Sequence, residues 1–297
     1  LGLATPMIGA CIGQLLAIEE AYWIDVGVVG ICVILFAGSV YVGLDRGIKR
    51  LSDLNISLAG VFLLFVLVAG PTLFILKVGT NSVGLMLQEF IRMNTWTDPI
   101  RQTGFVEDWS VFYWAWWIAY GPFMGLFVTR ISKGRTLKQL IVGMVGFGTL
   151  GCAVFYVVIG NTAMWMDIEG LVEVRALVQE GQNGTAIAQI MAALPLDPLP
   201  LIVFVVMAWV FVATTYDSAS YAIASSATRN LVEGSNPAQW HRVFWAFALA
   251  VLPITLMILD DLRAVKSAVL VVSLPLLVIG VTMCVSLFRT LERTAEQ

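Results

Sequence analysis

Long apolar stretches, separated by short polar segments, run through the whole chain. A helix that crosses a bilayer needs about 20 mostly apolar residues. Seven stretches reach or approach this length: Gly27–Leu44, Ile56–Val78, Val111–Thr129, Leu140–Ile159, Pro200–Ala227, Val243–Leu259 and Val265–Phe288. An eighth, Leu1–Ile18, is interpreted as the tail of a helix that begins before residue 1. The pattern predicts an all-α polytopic membrane protein with about seven full transmembrane helices and the tail of one.

Two of the polar linkers are long, at residues 79–110 and 160–198. Each contains an amphipathic stretch, Val83–Met93 in the first and Leu171–Ala193 in the second. Helices of this kind lie in the plane of a membrane interface, with the apolar face toward the acyl chains. We therefore expect both stretches to lie along one surface of the membrane.

The basic residues indicate which surface this is. Lys and Arg collect in alternate linkers, at Arg46, Lys49, Arg50, Arg130, Lys133, Arg135, Lys138, Arg229, Arg242, Arg289 and Arg293. Basic loops remain on the cytoplasmic side of a membrane. The pattern predicts a multi-pass protein of the plasma (inner) membrane, with its C-terminus in the cytoplasm and the two long linkers outside.

Composition supports a membrane protein and excludes several other classes. Of the 297 residues, 59% are hydrophobic and 12% charged, with a mean hydropathy of +0.88, whereas a soluble domain is about 25% charged. An ordinary soluble enzyme, a nucleic-acid-binding protein and a disordered chain are excluded. The four cysteines lie in apolar runs and are interpreted as small buried hydrophobes. The sequence offers no nucleophile–base pair, metal-ligand cluster or phosphate loop, so we do not expect an enzyme.

The fourth apolar run is unusually rich in aromatic residues. Trp109, Tyr113, Trp116 with Trp117, and Tyr120 recur at the spacing of one helical face. Several aromatic faces around a cavity bind a quaternary ammonium group by cation–π attraction. The alternative is an interfacial belt of aromatic residues that pack helices together. Gly121-Pro122 follows at once and is expected to bend or break the helix.

The sixth run carries hydroxyl groups and one acid in its inner half. Thr214 and Thr215 lie about 22 Å below the outer end of the helix, by helix rise from Pro200. Hydroxyl and carbonyl oxygens at this depth suit a dehydrated sodium ion, although such hydroxyls also bond back to helix carbonyls. Asp217 is a functional candidate because an ionisable group is costly there. Alternatively, it pairs with a basic residue near the inner face or caps a helix break.

The stretch from Asp108 to Thr136 resembles the signature of the betaine/carnitine/choline transporter family. It contains the run FYWAWWIAYGPFMG and the segment RISKGRT. The segments at Gly43–Asn55 and Thr214–Ser220 agree with the same family, and the resemblance covers essentially the whole chain. It implies a twelve-helix, usually homotrimeric transporter with a LeuT-type inverted repeat. Residues 1–297 would then be the C-terminal portion of a single transporter domain, without the first four helices and part of the fifth.

The resemblance also implies roles for individual residues. The central substrate site would be formed by Trp116, Trp117, Tyr120 and Met124, and an outer or regulatory substrate site by Trp109 and Tyr113. A sodium site would involve Phe211, Thr214, Thr215 and Phe123. The substrate would be a small quaternary ammonium compound such as glycine betaine, carnitine or choline, or a sulfonium analogue. Sodium is the expected coupling ion, no organic cofactor is expected, and the other partners are the lipid bilayer and further copies of the chain.

One position bears on the transport mechanism. Sodium-independent antiporters of the family carry an arginine two residues after the acid equivalent to Asp53, where this chain has Asn55. This difference and the intact Thr214–Thr215 pair favour sodium-coupled symport. In contrast, Tyr120, Met124 and the segment Leu1–Pro6 resemble the antiporters, so sodium-independent exchange stays open as the alternative.

Overall fold

The computed structural model describes residues 4–18, 22–42, 44–229, 236–259 and 262–295. Residues 1–3 of the Leu1–Pro6 segment and Gly43 of the Gly43–Asn55 segment lie outside this part of the chain. The described residues form helices joined by turns and contain no strand. The helices are α1 Ala4–Leu16, α2 Tyr22–Val42, α3 Leu44–Ala69, α4 Thr72–Gln88, α5 Phe90–Thr95, α6 Phe112–Ile131, α7 Leu137–Phe155, α8 Asn161–Ile168, α9 Val174–Gln179, α10 Asn183–Ala192, α11 Leu199–Ala227, α12 Gln239–Leu259 and α13 Leu262–Ala295.

Five helical segments among the described residues are long and apolar enough to cross a membrane. They are Arg50–Ala69, Val106–Thr129, Leu137–Ile168, Leu199–Ala227 and Lys266–Arg293, with two shorter apolar helices at Ala4–Leu16 and Trp23–Leu35. The prediction of an all-helical, multi-pass membrane protein is confirmed. The helix from Leu137 to Ile168 exceeds the predicted Leu140–Ile159, because a π-helical turn at Tyr156–Gly160 joins α7 to α8 without a break.

The chain divides into two units, each described by itself. The first contains Leu1–Gln88 and Gly134–Met257, and the second contains Glu89–Lys133 and Ile258–Gln297. In the first unit, α11 packs against α1, α2, α3 and α10, and half of its apolar window is buried. The core of this unit includes Cys11, Cys32, Val66, Leu201 and Phe204. In the second unit, α13 packs along α6.

The predicted run Ile56–Val78 is wrong as a single helix, because α3 ends at Ala69 and α4 begins at Thr72. Pro71 has no N–H to donate to the carbonyl of Leu67, and its ring disfavours a helical conformation for the preceding residue. The Thr72 hydroxyl donates to that carbonyl instead, at 2.7 Å. The break is therefore stabilised by a side chain that replaces the missing backbone donor.

The aromatic helix differs from expectation at both its start and its middle. A π-helical segment, Val106–Val111, leads directly into α6. Pro122 lies inside α6, which continues as a helix to Ile131, so Gly121-Pro122 does not end the helix. The chain turns after Ile131 through Gly134, whose φ of +84° suits glycine. The next helix begins at a capping box in which Thr136 and Gln139 satisfy each other's backbone N–H groups, at 3.1 and 3.2 Å.

The second long linker folds into two short helices rather than one amphipathic stretch. Gly181, with φ +80°, separates α9 from α10. Helix α10 packs against α1, where an added Cβ on Gly184 would lie 3.2 Å from both the Pro6 carbonyl oxygen and the Ala10 Cβ. Its inner face buries Ile190 and Met191. The apolar side of this linker is thus covered by the first unit's own helices.

Candidate substrate and cation sites

The aromatic side chains at the start of α6 form a row. Trp109 and Tyr113 are nearly parallel, with ring centroids 6.1 Å apart and planes inclined by 14°. Tyr113 and Trp116 continue the row at 6.2 Å and 20°. Phe105 extends it beyond Trp109 at 6.4 Å. The predicted spacing therefore does place these three residues on one face, and we call Trp109, Tyr113 and Trp116 the aromatic row.

The remaining predicted substrate residues lie further along the same helix. Tyr120 contacts Phe123, with ring centroids 5.4 Å apart. Tyr120, Phe123 and Met124 are half-buried. They follow the aromatic row by one to two turns of α6, so they form a second aromatic and thioether patch toward the C-terminal end of the helix.

A cavity of about 990 Å³ opens within the second unit between α6 and α13. Its wall includes Trp109, Tyr113, Trp114 and Trp117 from the α6 side, and Leu270 and Leu274 from α13. Trp116, Tyr120 and Met124 are not among the described residues that line this cavity. The structure therefore brings Trp117 together with the outer pair Trp109 and Tyr113, rather than with its sequence neighbour Trp116.

Trp114 was not among the predicted site residues. It lies three positions before Trp117, and residues three apart share a helix face, so both line the same cavity. The sequence carries this signal in the spacing Trp114–Trp117. The i, i+4 spacing from Trp109 to Tyr113 and on to Trp117 passes over Trp114, so Trp114 was not selected although it lines the same cavity.

A lysine from α13 lies at the N-terminal end of the aromatic row. Lys266 Nζ is 5.4 Å from the centroid of the Phe112 ring and 3.9 Å from Asp108 Oδ1. Phe112 contacts both Tyr113 and Trp116, at centroid distances of 6.0 and 5.5 Å. An ammonium group and a carboxylate therefore accompany the rings at this end of α6.

The predicted sodium residues are divided between the two units. Phe123 belongs to the second unit, and Phe211, Thr214 and Thr215 lie on α11 in the first. Both threonine hydroxyls donate to the Phe211 carbonyl oxygen, each at 2.9 Å. This is the back-bonding that the sequence left open as an alternative. A hydroxyl oxygen that donates its hydrogen keeps lone pairs for a cation, so the arrangement is compatible with a sodium ligand at either threonine.

A buried oxygen on α3 also lacks a hydrogen-bond partner among the described residues. Asn55 Oδ1, on α3, is buried and accepts no hydrogen bond from the described residues. Helix α3 packs against α11, where Phe62 and Phe204 lie 6.3 Å apart between ring centroids. A buried amide oxygen without a donor is costly, and a cation is one group that would satisfy it.

Asp217 pairs with a basic residue, as one of its two structural alternatives predicted. Arg242 Nη2, on α12, donates to Asp217 Oδ1 at 2.7 Å, and the two side chains are 3% and 1% exposed. The guanidinium also lies over the Tyr221 ring, 5.5 Å from its centroid. The negative charge of Asp217 is therefore balanced by α12.

The single histidine holds a structural position beside this pair. Trp245 donates from Nε1 to His241 Nε2 at 3.0 Å. Since indole is only a donor, Nε2 is unprotonated and the ring proton lies on Nδ1. Nδ1 faces the Thr228 hydroxyl oxygen at 3.2 Å. His241 thus links the end of α11 to α12.

Comparisons with known proteins agree over nearly the whole chain. Residues 1–296 match the family described as BCCT, betaine/carnitine/choline family transporter. A "Carnitine transporter" of Acinetobacter baumannii is 37% identical over 90% of this chain and 49% of that protein. An "Uncharacterized transporter YeaV" of Escherichia coli K12 is 35% identical over 83% of this chain and 53% of that protein. The chain spans about half the length of the curated relatives it matches.

Proposed function

The chain belongs to the betaine/carnitine/choline transporter family, and from this premise we propose that the protein containing it carries out sodium-coupled symport of small quaternary ammonium compounds. Glycine betaine, carnitine and choline are the proposed substrates. Transport proceeds by alternating access, in which the helices rock around a site near the middle of the membrane.

The aromatic row is the observation that carries the proposal. A quaternary ammonium group has no N–H to donate, so carboxylates or carbonyls alone bind it poorly. The ring faces of Trp109, Tyr113 and Trp116, stacked in sequence, attract a desolvated cation by about 2 kcal/mol or more per contact. Trp117 and Trp114 add further ring surface to the neighbouring cavity. In the proposal, substrate passes along these rings toward Tyr120 and Met124.

Sodium coupling is supported by oxygens on α3 and α11. The charge pattern predicts that these helices run in opposite directions across the membrane. Phe62 and Phe204 are in contact, and Asn55 and Phe211 each lie seven residues further toward the inner side. By helix rise both are about 10 Å from that contact and at one level. The unpartnered Asn55 oxygen therefore lies at the depth of Phe211 and the adjoining Thr214–Thr215 pair, where a hard cation would find oxygen ligands.

Sodium-independent exchange of carnitine or betaine is the second candidate. The observation in its favour is the half-buried pair Tyr120 and Met124 on α6, which resembles the family's antiporters. An exchanger requires a counter-substrate on the opposite side and no sodium gradient. The proposed symport requires a sodium gradient and no counter-substrate.

The proposal extends to the whole protein. It comprises a LeuT-type inverted repeat completed by further helices, a homotrimer, an inner-membrane location and a cytoplasmic C-terminus. The basic residues Arg289 and Arg293 near the end of α13 support that orientation.

Uptake of radiolabelled glycine betaine and carnitine by the full-length transporter tests the proposal. We expect uptake in sodium buffer and at least a tenfold decrease when potassium replaces sodium. Equal uptake in both buffers, with acceleration by internal carnitine, would replace symport by exchange. If neither glycine betaine nor carnitine is taken up or competes for uptake in either buffer, the proposed substrate class is refuted.

A further inference from the structure

Helix α13 brings the positive charge of Lys266 close to the negative charge of Asp108 at the rim of the aromatic row. Lys266 Nζ lies 5.4 Å from the centroid of the Phe112 ring and 3.9 Å from Asp108 Oδ1. Phe112 adjoins Tyr113 and Trp116 of the row. Leu270, one helical turn after Lys266, belongs to the wall of the cavity that Tyr113 also lines. The lysine therefore stands at the outer margin of the surfaces that would receive a quaternary ammonium group.

The ion pair between Lys266 and Asp108 is easily exchanged. The two side chains are 38% and 68% exposed, and the separation of 3.9 Å is near the limit for an ion pair. Exposed pairs of this kind add little to stability. A carboxylate carried by a ligand can therefore take the place of Asp108 at the ammonium group of Lys266.

We propose that Lys266 is a selectivity residue that favours zwitterionic quaternary ammonium substrates over purely cationic ones. This inference rests on the proposed function and specifies its substrate class. A zwitterion places its trimethylammonium group on the ring faces and its carboxylate on Lys266. A ligand with only the positive charge cannot take the lysine from Asp108, and it is repelled by the lysine's charge, which Asp108 offsets only in part.

The size of the effect follows from Coulomb's law. At an effective dielectric constant of about 20, the repulsion between the Lys266 ammonium and a ligand's ammonium group about 8 Å away corresponds to about a 30-fold loss of affinity. Partial exposure of Lys266 to water and salt reduces this to about tenfold. Asp108 acts in the opposite sense, because it competes with the substrate carboxylate and offsets the charge that a cation encounters.

A matched pair of ligands isolates the contribution of the carboxylate. Glycine betaine and its methyl ester share one skeleton, but the ester is purely cationic. In the full-length transporter, each compound is titrated against uptake of radiolabelled glycine betaine. The ratio of the ester's half-inhibitory concentration to that of glycine betaine gives the selectivity.

The variants are expected to change this ratio in opposite directions. Lys266→Met retains the apolar stem against Phe112 and lowers the ratio about tenfold, whereas Lys266→Arg preserves it. Asp108→Asn raises the ratio, because the lysine then has no competing carboxylate. Lys77→Met removes the same charge from an exposed position on α4 and leaves the ratio unchanged.

Each outcome of these measurements either supports or overturns the selectivity role of Lys266. An unchanged ratio in Lys266→Met, with normal amounts of protein in the membrane, overturns the selectivity role but leaves the proposed function intact. A transporter that neither takes up nor binds trimethylammonium compounds overturns both. If Lys266→Met does not reach the membrane, Lys266→Gln is substituted, and ligand binding to the purified variant is measured by tryptophan fluorescence with the same two compounds and the same criterion.

Discussion

Arg242 donates from Nη2 to Asp217 Oδ1 across 2.7 Å, and both side chains are almost completely removed from solvent. Removing one partner of a buried pair leaves an uncompensated charge, which costs about 3–5 kcal/mol. We expect Asp217→Ala and Arg242→Ala to lower the thermal unfolding temperature in detergent strongly. The double variant Asp217→Leu with Arg242→Leu should recover much of the loss, because neither charge is left alone.

A surface pair provides the control for this experiment. Arg175 and Asp167 are 3.3 Å apart, but the arginine is 76% exposed, and such pairs contribute about 0–1 kcal/mol. Arg175→Ala should therefore change the unfolding temperature little, since it removes the exposed partner and leaves the backbone N–H of residue 175 bonded to Asp167 Oδ1 at 2.9 Å. Equal effects at Arg175 and Arg242 would contradict a special role for the buried pair.

The aromatic row is expected to control affinity for quaternary ammonium compounds. Trp116→Leu removes one ring face, and a cation–π contact of about 2 kcal/mol corresponds to about a 30-fold rise in KM for glycine betaine. Trp116→Phe should lose much less, because a ring face remains. Trp240→Leu changes a 72% exposed tryptophan on α12 and should leave KM unchanged. Similar losses in all three variants would indicate a general effect on folding.

The oxygens on α3 and α11 are expected to control the response to sodium. Thr215→Val and Asn55→Leu should each raise the sodium concentration for half-maximal uptake by at least tenfold, because each removes an oxygen ligand. Thr255→Val is the matched control, since the Thr255 hydroxyl makes the same back-bond to a helix carbonyl, at 2.9 Å, on another helix. If Thr215→Val and Asn55→Leu leave the sodium response unchanged, the coupling site does not lie between α3 and α11.

Acid should loosen the loop that follows α5. Asp98 is buried and accepts hydrogen bonds from the Thr103 hydroxyl and backbone N–H at 2.7 and 2.8 Å. These bonds, the hydroxyl first, hold the pKa of the Asp98 carboxyl below its ordinary value. A lowered pKa contributes stability that is present above the unfolded value of about 3.9 and is lost as the pH falls through the folded value.

Hydrogen exchange of the segment 96–105 checks this expectation. Protection should stay constant from pH 7 to about 5 and decrease below about pH 4, after correction for the intrinsic exchange rate. Asp98→Ala should already lack the protection at pH 7, whereas Glu107→Gln, at an exposed position, should behave as the unmodified chain. A decrease centred on neutral pH would assign the effect to another group.

Sequence pattern was sufficient for the helical architecture but not for its local irregularities. Each of the five long apolar helices among the described residues coincides with a predicted apolar run, because lipid requires long helices with internally bonded backbones. Apolar run length could not place the break at Pro71, since apolar residues continue on both sides. At Pro122 the break does not occur, since α6 continues as a helix to Ile131, and the bend that the sequence also allowed stays a prediction.

The candidate site was predictable along one helix but not between helices. The helical spacing from Trp109 through Tyr113 to Trp116 was enough to predict that these rings share one face. The contacts of Lys266 with Asp108, and of Arg242 with Asp217, join residues far apart in the chain. Periodicity does not encode such partners, because they depend on how α13 and α12 pack against other helices.

The π-helical segment Val106–Val111 allows the aromatic row to be changed through the backbone, without replacing any ring. A π turn accommodates one more residue than the α-helix around it, and one residue corresponds to about 100° of rotation about the helix axis. Deleting Ser110 would let the segment relax to an ordinary helix and swing Trp109 out of phase with Tyr113. Insertion or loss of one residue between Trp109 and Tyr113 would therefore redirect the outermost ring as effectively as replacing the tryptophan.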